Sequence, residues 1–380
     1  DTLTLTDALK KKDELELVGG VVYITSLSGE VKTAANISHH ARIVQEKAVA
    51  RQLIAETSEA TSKAFGQHEP TVDLLDSTIG NLRSLRDAFA ISGSFTNTGD
   101  MLEDINKFMD EARTSTRVFL GLETGLEDLN SNLNGLIAGD LYVFGARPSI
   151  GKTALATQIA AHVAAIEKKG VAIFSLEMSK IQIGLRLLSQ SGGINLHHLR
   201  RPKSLTEDED KHLTMAQAEV SKYPMFIDDS AGLSGEEIMA RSEKLTQQHD
   251  IGLIAVDYLQ LMGGKAQSDL ERVGQNCRAL KNMAKELNVP VILCSQLSRA
   301  CESRPDHKPQ LSDLRSTGDI EQDADTVILL HRPGFYGQTD PDGGVDSSAT
   351  LIIAKQRNGP TRDVNVQWEG EFTRFVNSGY

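Results

Sequence analysis

Cysteine is scarce in this 380-residue chain, and the three present, Cys277, Cys294 and Cys301, fall in no paired metal-ligand spacing. That excludes a disulfide framework and a thiolate zinc site as organising devices and leaves free thiols in a reducing compartment. Long apolar runs are missing as well. No stretch approaches the ~18 residues of a membrane span, and the opening DTLTLTDALKKK lacks the apolar core of a signal peptide, so a soluble cytoplasmic protein is expected. Positive charge is in deficit, with 40 Lys and Arg against 52 Asp and Glu and a formal net charge of −12. Such a balance argues against coating nucleic acid with the whole outer surface, yet leaves room for a basic track inside a channel. The chain opens without methionine and within a helical pattern, from which the loss of an N-terminal portion is expected.

What is present divides the chain in three. Residues 1–92 carry apolar side chains at helical spacing, Ile43, Val44, Val49, Leu53 and Ile54 on one face and Leu74, Leu75, Ile79, Leu82 and Leu85 on another, with a turn at 66–70 between two long helices. This predicts a small all-helical domain without clustered chemistry. Residues 93–116 read as a linker carrying one amphipathic helix, whose stripe Met101, Leu102, Ile105, Phe108, Met109 and Ala112 must be buried on its own C-terminal domain or on a neighbouring subunit. From 117 to 380 short apolar strands alternate with amphipathic helices, the pattern of an α/β domain with a mostly parallel sheet covered by helices on both faces. The expected strands are 140–144, 171–176, 224–228, 251–257, 289–295, 326–331, 349–355 and 364–368, with helices after Gly151, Gly235 and Ser268.

The chemistry starts at ARPSIGKT, residues 146–153, set between an apolar strand and a helix. A loop of this kind cradles phosphates with backbone amides at a helix N-terminus. Gly151 lets the backbone approach, Lys152 reaches the β and γ oxygens, and Thr153 is placed to ligate Mg²⁺. Ala146, Arg147, Pro148, Ser149 and Ile150 complete the expected nucleotide-binding set, with Ala146 where a glycine is more usual. Asp257 ends an apolar strand, so its carboxylate falls on the carboxyl edge of the sheet and is expected at the metal. Glu177 closes the strand before it and is assigned to the attacking water, the other reading being a helix-capping glutamate. Gln296 ends the strand PVILCS and is expected at the γ-phosphate. The pattern therefore predicts hydrolysis of a nucleoside triphosphate.

Three further features carry less on their own. Lys355 and Arg357 lie two apart on a strand, so they point the same way, followed by an Asn358-Gly359 turn; they read as cations offered outward or as a solvated strand end. Residues 300–325 are poor in apolar side chains and read as a long loop, with Asp313, Asp319, Glu321, Asp323 and Asp325 allowing an acidic surface loop. His197-His198 with Arg200, Arg201 and Lys203 reads as the solvated start of a helix capped by Thr206 and Glu209 rather than a phosphate patch. Trp368, the one tryptophan, is expected in the core rather than under a base.

In this order, ARPSIGKT, FSLEM, VDYLQLM, SQLSR, LRSTGDIEQDAD and KQRNGP resemble the motif set of replicative DnaB-type hexameric DNA helicases, and AANI at 34–37 with the helical region resembles that family's collar domain. The resemblance implies a RecA-like motor in a six-subunit ring around single-stranded DNA. It further implies ATP and Mg²⁺ at subunit interfaces, and a collar that contacts primase and a helicase loader. Lys355 and Arg357 match residues that enter the adjacent subunit's site. Arg315, Ser316 and Gly318 match a channel loop that grips the DNA backbone, although Ser316 stands where the family commonly has Glu. The function so implied is ATP-driven translocation and unwinding at a replication fork. The alternatives are a RecA-family filament-forming recombinase and a nucleotide-regulated ring scaffold for primase or loader.

Overall fold

The structure, a computed structural model, describes residues 2–11, 14–30, 37–66, 70–90, 97–115, 117–314, 317–339 and 344–378. The AANI segment lies outside them except for its last residue, Ile37, as do Arg315 and Ser316. The chain divides into two compact units, 1–108 and 109–380.

The first unit is helical: α1 (Thr2–Lys11), α2 (Gly20–Glu30), α3 (Ile37–Gly66) and α4 (Thr71–Ala90). Helix α3 ends at Gly66 and α4 begins at Thr71; residues 67–69 of the turn expected between them lie outside the described residues. Helix α5 (Thr98–Thr114) spans the division between the units, and its Met101, Leu102, Ile105, Phe108 and Met109 are all exposed.

The second unit alternates strands and helices. In chain order these are α6 (Glu127–Leu133), β1 (Leu141–Ala146), α7 (Lys152–His162), β2 (Gly170–Ser175), α8 (Lys180–Gly192), α9 (Leu196–Leu199), α10 (Glu207–Val220) and β3 (Met225–Asp228). There follow α11 (Gly235–Gln248), β4 (Ile251–Asp257), α12 (Asp269–Leu287), β5 (Val291–Gln296), α13 (Thr317–Asp323), β6 (Thr326–His331), β7 (Ser348–Gln356), β8 (Arg362–Glu369) and β9 (Arg374–Asn377). They build one nine-stranded sheet in the order β3-β2-β4-β5-β1-β6-β7-β8-β9. The first six strands of that order run parallel and the last three are antiparallel additions.

Strand β1 shows why the parallel strands read as continuous apolar runs. Successive side chains leave a strand on opposite faces, and here both faces are covered. Tyr142, Phe144 and Ala146 enter a core with Leu155 and Ile159 of α7, while Leu141 and Val143 enter a second core with Leu280 and Met283 of α12. The three cysteines are buried and none is in a disulfide. Among the described residues no helix is long and apolar enough to cross a membrane.

The stretch 300–325 departs from a solvated acidic loop. It folds into short turns and α13, and two of its carboxylates are interior: Asp313 is held by both Nη atoms of Arg304 at 2.6 and 2.7 Å, and Asp325 lies 2.5 Å from Lys281 Nζ. Residues 9 and 44 positions apart neutralise each other here, which a local count of acidic residues does not register. The capped start of α10 is as expected, with Thr206 and Glu209 exchanging hydrogen bonds and Glu209 also bound to His198 Nδ1 at 2.7 Å.

Candidate nucleotide site

Because β1, β2, β4 and β5 are parallel and in register, their last residues meet at one edge. Ala146 pairs with Gln296, and Ser175, two before Glu177, pairs with Asp257. The edge thus collects Glu177, Asp257 and Gln296 around the 146–153 turn, which is where open parallel sheets bind ligands.

The turn itself is built to leave amides free. Gly151 caps α7 without any side-chain hydrogen bond, and the first turn of α7 holds no acidic residue. The orphan N–H groups and positive end of the dipole therefore face the cleft. Gly151 has φ +123°, a region closed to other residues, and a Cβ there would stand 3.0 Å from Phe375 Cζ. Behind the turn, Arg332 Nη1 donates to the Ile150 carbonyl at 2.9 Å, and Arg147 donates to the Leu297 carbonyl at 2.9 Å and to Glu302 at 2.8 Å. Of the loop, Pro148, Ser149, Gly151, Lys152 and Thr153 line the cleft; the side chains of Ala146 and Ile150 are buried in the core, and the Arg147 guanidinium is engaged elsewhere.

Asp257 joins the two functional side chains of α7. Its Oδ1 accepts from Lys152 Nζ at 2.8 Å and its Oδ2 from Thr153 Oγ1 at 2.6 Å. Lys152 also lies 3.6 Å from Glu177 Oε2 and 3.8 Å above the Tyr258 ring. Burial alone would lower the Lys152 pKa, yet the Asp257 carboxylate, with smaller help from Cys294 and Glu177, leaves it above the ordinary lysine value. Glu177 itself is half exposed, where water reaches it. The Gln296 side chain lines the cleft, and its backbone N–H is fixed by Gln260 Oε1 at 3.1 Å while Gln260 Nε2 donates to Ser295 Oγ at 3.0 Å.

The cleft measures about 450 Å³ and is also lined by Met178, Arg186, Tyr258, Trp368 and Thr373. Several of these carry no local sequence signature. Arg186 on α8 is mostly buried, its Nε meets no hydrogen-bond acceptor, and burial, with Arg200 adding repulsion, lowers its pKa. A partly buried cation with its Nε unpartnered, lining the cleft beside the 146–153 turn, is suited to an anion. Arg332 stacks its guanidinium 4.3 Å above Trp368, with burial bringing its pKa to about 10. The signal available for it was its position just after the last residue of a central strand. Trp368 does pack on the core through Phe375, as expected, but its other side forms a wall of the cleft.

Lys355 and Arg357 are not brought to this edge. Strand β7 runs against β6, and Lys355 pairs with Val327 near the start of β6, the end of the sheet opposite Lys152. Gly318 lies in the first turn of α13 and is exposed. Among the described residues no group of three or more His, Cys, Asp or Glu could hold a metal by itself. The donors present, one hydroxyl and one carboxylate, fit a hard cation whose remaining ligands are water and phosphate oxygens.

Comparison with known proteins agrees along the whole chain. The family description "DnaB-like helicase C terminal domain" matches residues 121–377, and "DnaB-like helicase N terminal domain" matches 1–46. The replicative DNA helicase DnaB of Geobacillus stearothermophilus is 38% identical over 380 residues, 99% of this chain and 83% of the relative. A solved DnaB-like replicative helicase, described with its interactions with primase, superposes with TM-score 0.78 at 28% identity, covering 100% of this chain and 88% of that one. A solved ATPase domain superposes with TM-score 0.69 at 33% identity over 74% of this chain and 100% of its own. With the 146–153 turn at the carboxyl edge of a RecA-like sheet and likeness of this extent, the chain belongs to the DnaB-like helicases.

Proposed function

We infer that this chain is one subunit of a six-membered ring that hydrolyses ATP to move along single-stranded DNA and separate duplex at a replication fork. One observation carries the reading of how it does so. The phosphate-binding turn with Glu177 and the cation pair Lys355 and Arg357 stand at opposite ends of one sheet. A single chain cannot bring them to one nucleotide, whereas head-to-tail copies can, and a heterologous contact of that kind closes into a ring when its rotation divides the full turn evenly.

In this reading the α7 amides and Lys152 hold the β and γ phosphates, and Thr153 and Asp257 hold Mg²⁺. Bound there, Mg²⁺ supplies charge neutralisation at the phosphates. Glu177 orients and deprotonates water, Gln296 senses the γ-phosphate, and Arg186 adds a cation within the same subunit. Lys355 and Arg357 of the neighbouring copy stabilise the charge that develops on the transferred group, a contribution worth about 10³ to 10⁵ in rate in related phosphoryl transfers. Arg315, Ser316 and Gly318 contact DNA phosphates without reading bases. We assign residues 1–92 to a collar, 93–116 to a linker whose exposed α5 stripe docks on a neighbouring copy, and 117–380 to the motor. The primase interactions of the solved relative support a primase contact, which we assign to the collar, and a loader contact is proposed for the same surface.

Strand separation driven by ATP tests the reading. It is expected in the unaltered protein and absent in Lys152→Ala and Glu177→Gln variants that still assemble; unwinding that survives either substitution overturns these roles.

A further inference from the structure

The last turn of α13 holds no basic residue, and the two cations assigned above to the neighbour's nucleotide donate to the carbonyls at its end. Lys355 Nζ donates to the carbonyls of Glu321 and, at 2.5 Å, Ala324; Arg357 donates to the carbonyl of Gln322. The last carbonyls of a helix carry partial negative charge and call for such donors. Arg357 is then fixed a second time, by Asp325 Oδ1 at 3.1 Å.

Asp325 is no surface carboxylate. It is buried, its Oδ2 accepts from the Leu141 amide at 2.7 Å and lies 2.5 Å from Lys281 Nζ, and Lys281 in turn donates to the Gly139 carbonyl at 2.8 Å. This pair ties the start of β1, α12 and the start of β6 together, so Asp325 offers Arg357 a fixed acceptor while Arg357 itself is half exposed. Lys355 is partly desolvated in the same place, next to the Arg357 charge.

We propose that Asp325 and the α13 carbonyls form a home seat for Lys355 and Arg357, which competes with the neighbouring subunit's triphosphate for the same two cations. The inference rests on the assignment of Lys355 and Arg357 to the neighbour's site. Its consequence is a route from DNA to hydrolysis. Gly318, assigned above to DNA, lies in the first turn of α13, so DNA bound there displaces the helix whose carbonyls hold the cations and releases them across the interface. Asp325 is thus a positioning residue: it touches no substrate and acts through Arg357.

Turnover of the assembled full chain, with and without single-stranded DNA, tests this. In Asp325→Asn the DNA-free rate is expected to rise about two- to fivefold, the scale of removing one partly exposed ion pair from a competition, with the DNA-stimulated rate little changed, so that the stimulation ratio falls. Lys281→Gln with Asp325→Asn deletes both buried charges together and is expected to behave alike. A parallel fall of both rates, or an unchanged ratio, in either folded variant overturns the seat. Hydrogen exchange in the unaltered protein gives a second reading that needs no variant: amides of 321–325 are expected to exchange faster when a non-hydrolysable ATP analogue and single-stranded DNA are added together, and unchanged exchange contradicts the proposal. Arg357→Ala separates the two levels. If it hydrolyses at the unaltered rate, the trans assignment fails; if it is inactive while Asp325→Asn keeps a normal ratio, the seat alone fails.

Discussion

The Lys152 ammonium and the Asp257 carboxylate form a buried pair 2.8 Å apart at the carboxyl edge of the sheet. Breaking such a pair from one side strands a charge in the interior. Asp257→Asn is therefore expected to lose turnover and also about 3 kcal/mol of stability, the lower end of the usual range because Glu177 remains 3.6 Å from the ammonium. Lys152→Met combined with Asp257→Asn should recover most of the stability and none of the turnover. Urea midpoints check this, and a single variant as stable as the parent would remove the pair's structural part. The pH sign follows from the raised Lys152 pKa. The pair's contribution is complete below the ordinary lysine value and fades only as pH rises through the folded one, so it adds no slope near neutrality.

Trp368 supplies a direct optical reading of the cleft, since it is the one tryptophan of the chain and lines the site beneath Arg332. Addition of MgATP is expected to change tryptophan emission in a saturable way, and Lys152→Ala should abolish the change. Emission unaffected by nucleotide in the unaltered protein would take Trp368 out of the site.

His331 closes β6 in the interior, 6.1 Å from the Tyr336 ring, with its Nδ1 unpartnered and its pKa lowered by burial and by the nearby Lys308 charge. For a histidine held neutral the unfolded chain binds the proton more readily, so stability is full above the ordinary histidine value and falls as pH drops below it. His331→Phe should flatten that acid limb. Urea midpoints from pH 5 to pH 8 measure it, and an unchanged slope would assign the acid sensitivity to other groups.

The legible parts of this protein were those whose information is local. ARPSIGKT declared a strand, a turn and a helix in succession, and Asp257, Glu177 and Gln296 could be placed because each ends an apolar run, which in a parallel sheet means a common edge. Strand β9 was missed because its four residues, Arg374–Asn377, hold only two apolar side chains between polar ends. Helix α8 carries its own start signal, Ser179 and Gln182 exchanging hydrogen bonds in a capping box, and that signal was available in the sequence. Arg332 and Trp368 reach the site from strands some 180 to 220 positions beyond the loop they serve, so no pattern within a window links them to it. The same holds for Asp325, whose acidic neighbours on the chain hid a partner on α12.

In the proposed ring each nucleotide site is half of one subunit and half of the next. Mixing Glu177→Gln subunits with Arg357→Ala subunits tests it most directly. Each variant alone is expected to be inactive with DNA, and mixed rings should regain turnover, because some interfaces then pair an intact Glu177 with an intact Arg357. Recovered hydrolysis that rises and falls with the mixing ratio is the predicted result. Mixtures that exchange subunits and stay as inactive as their components, or Arg357→Ala rings that hydrolyse ATP unaided, would contradict it.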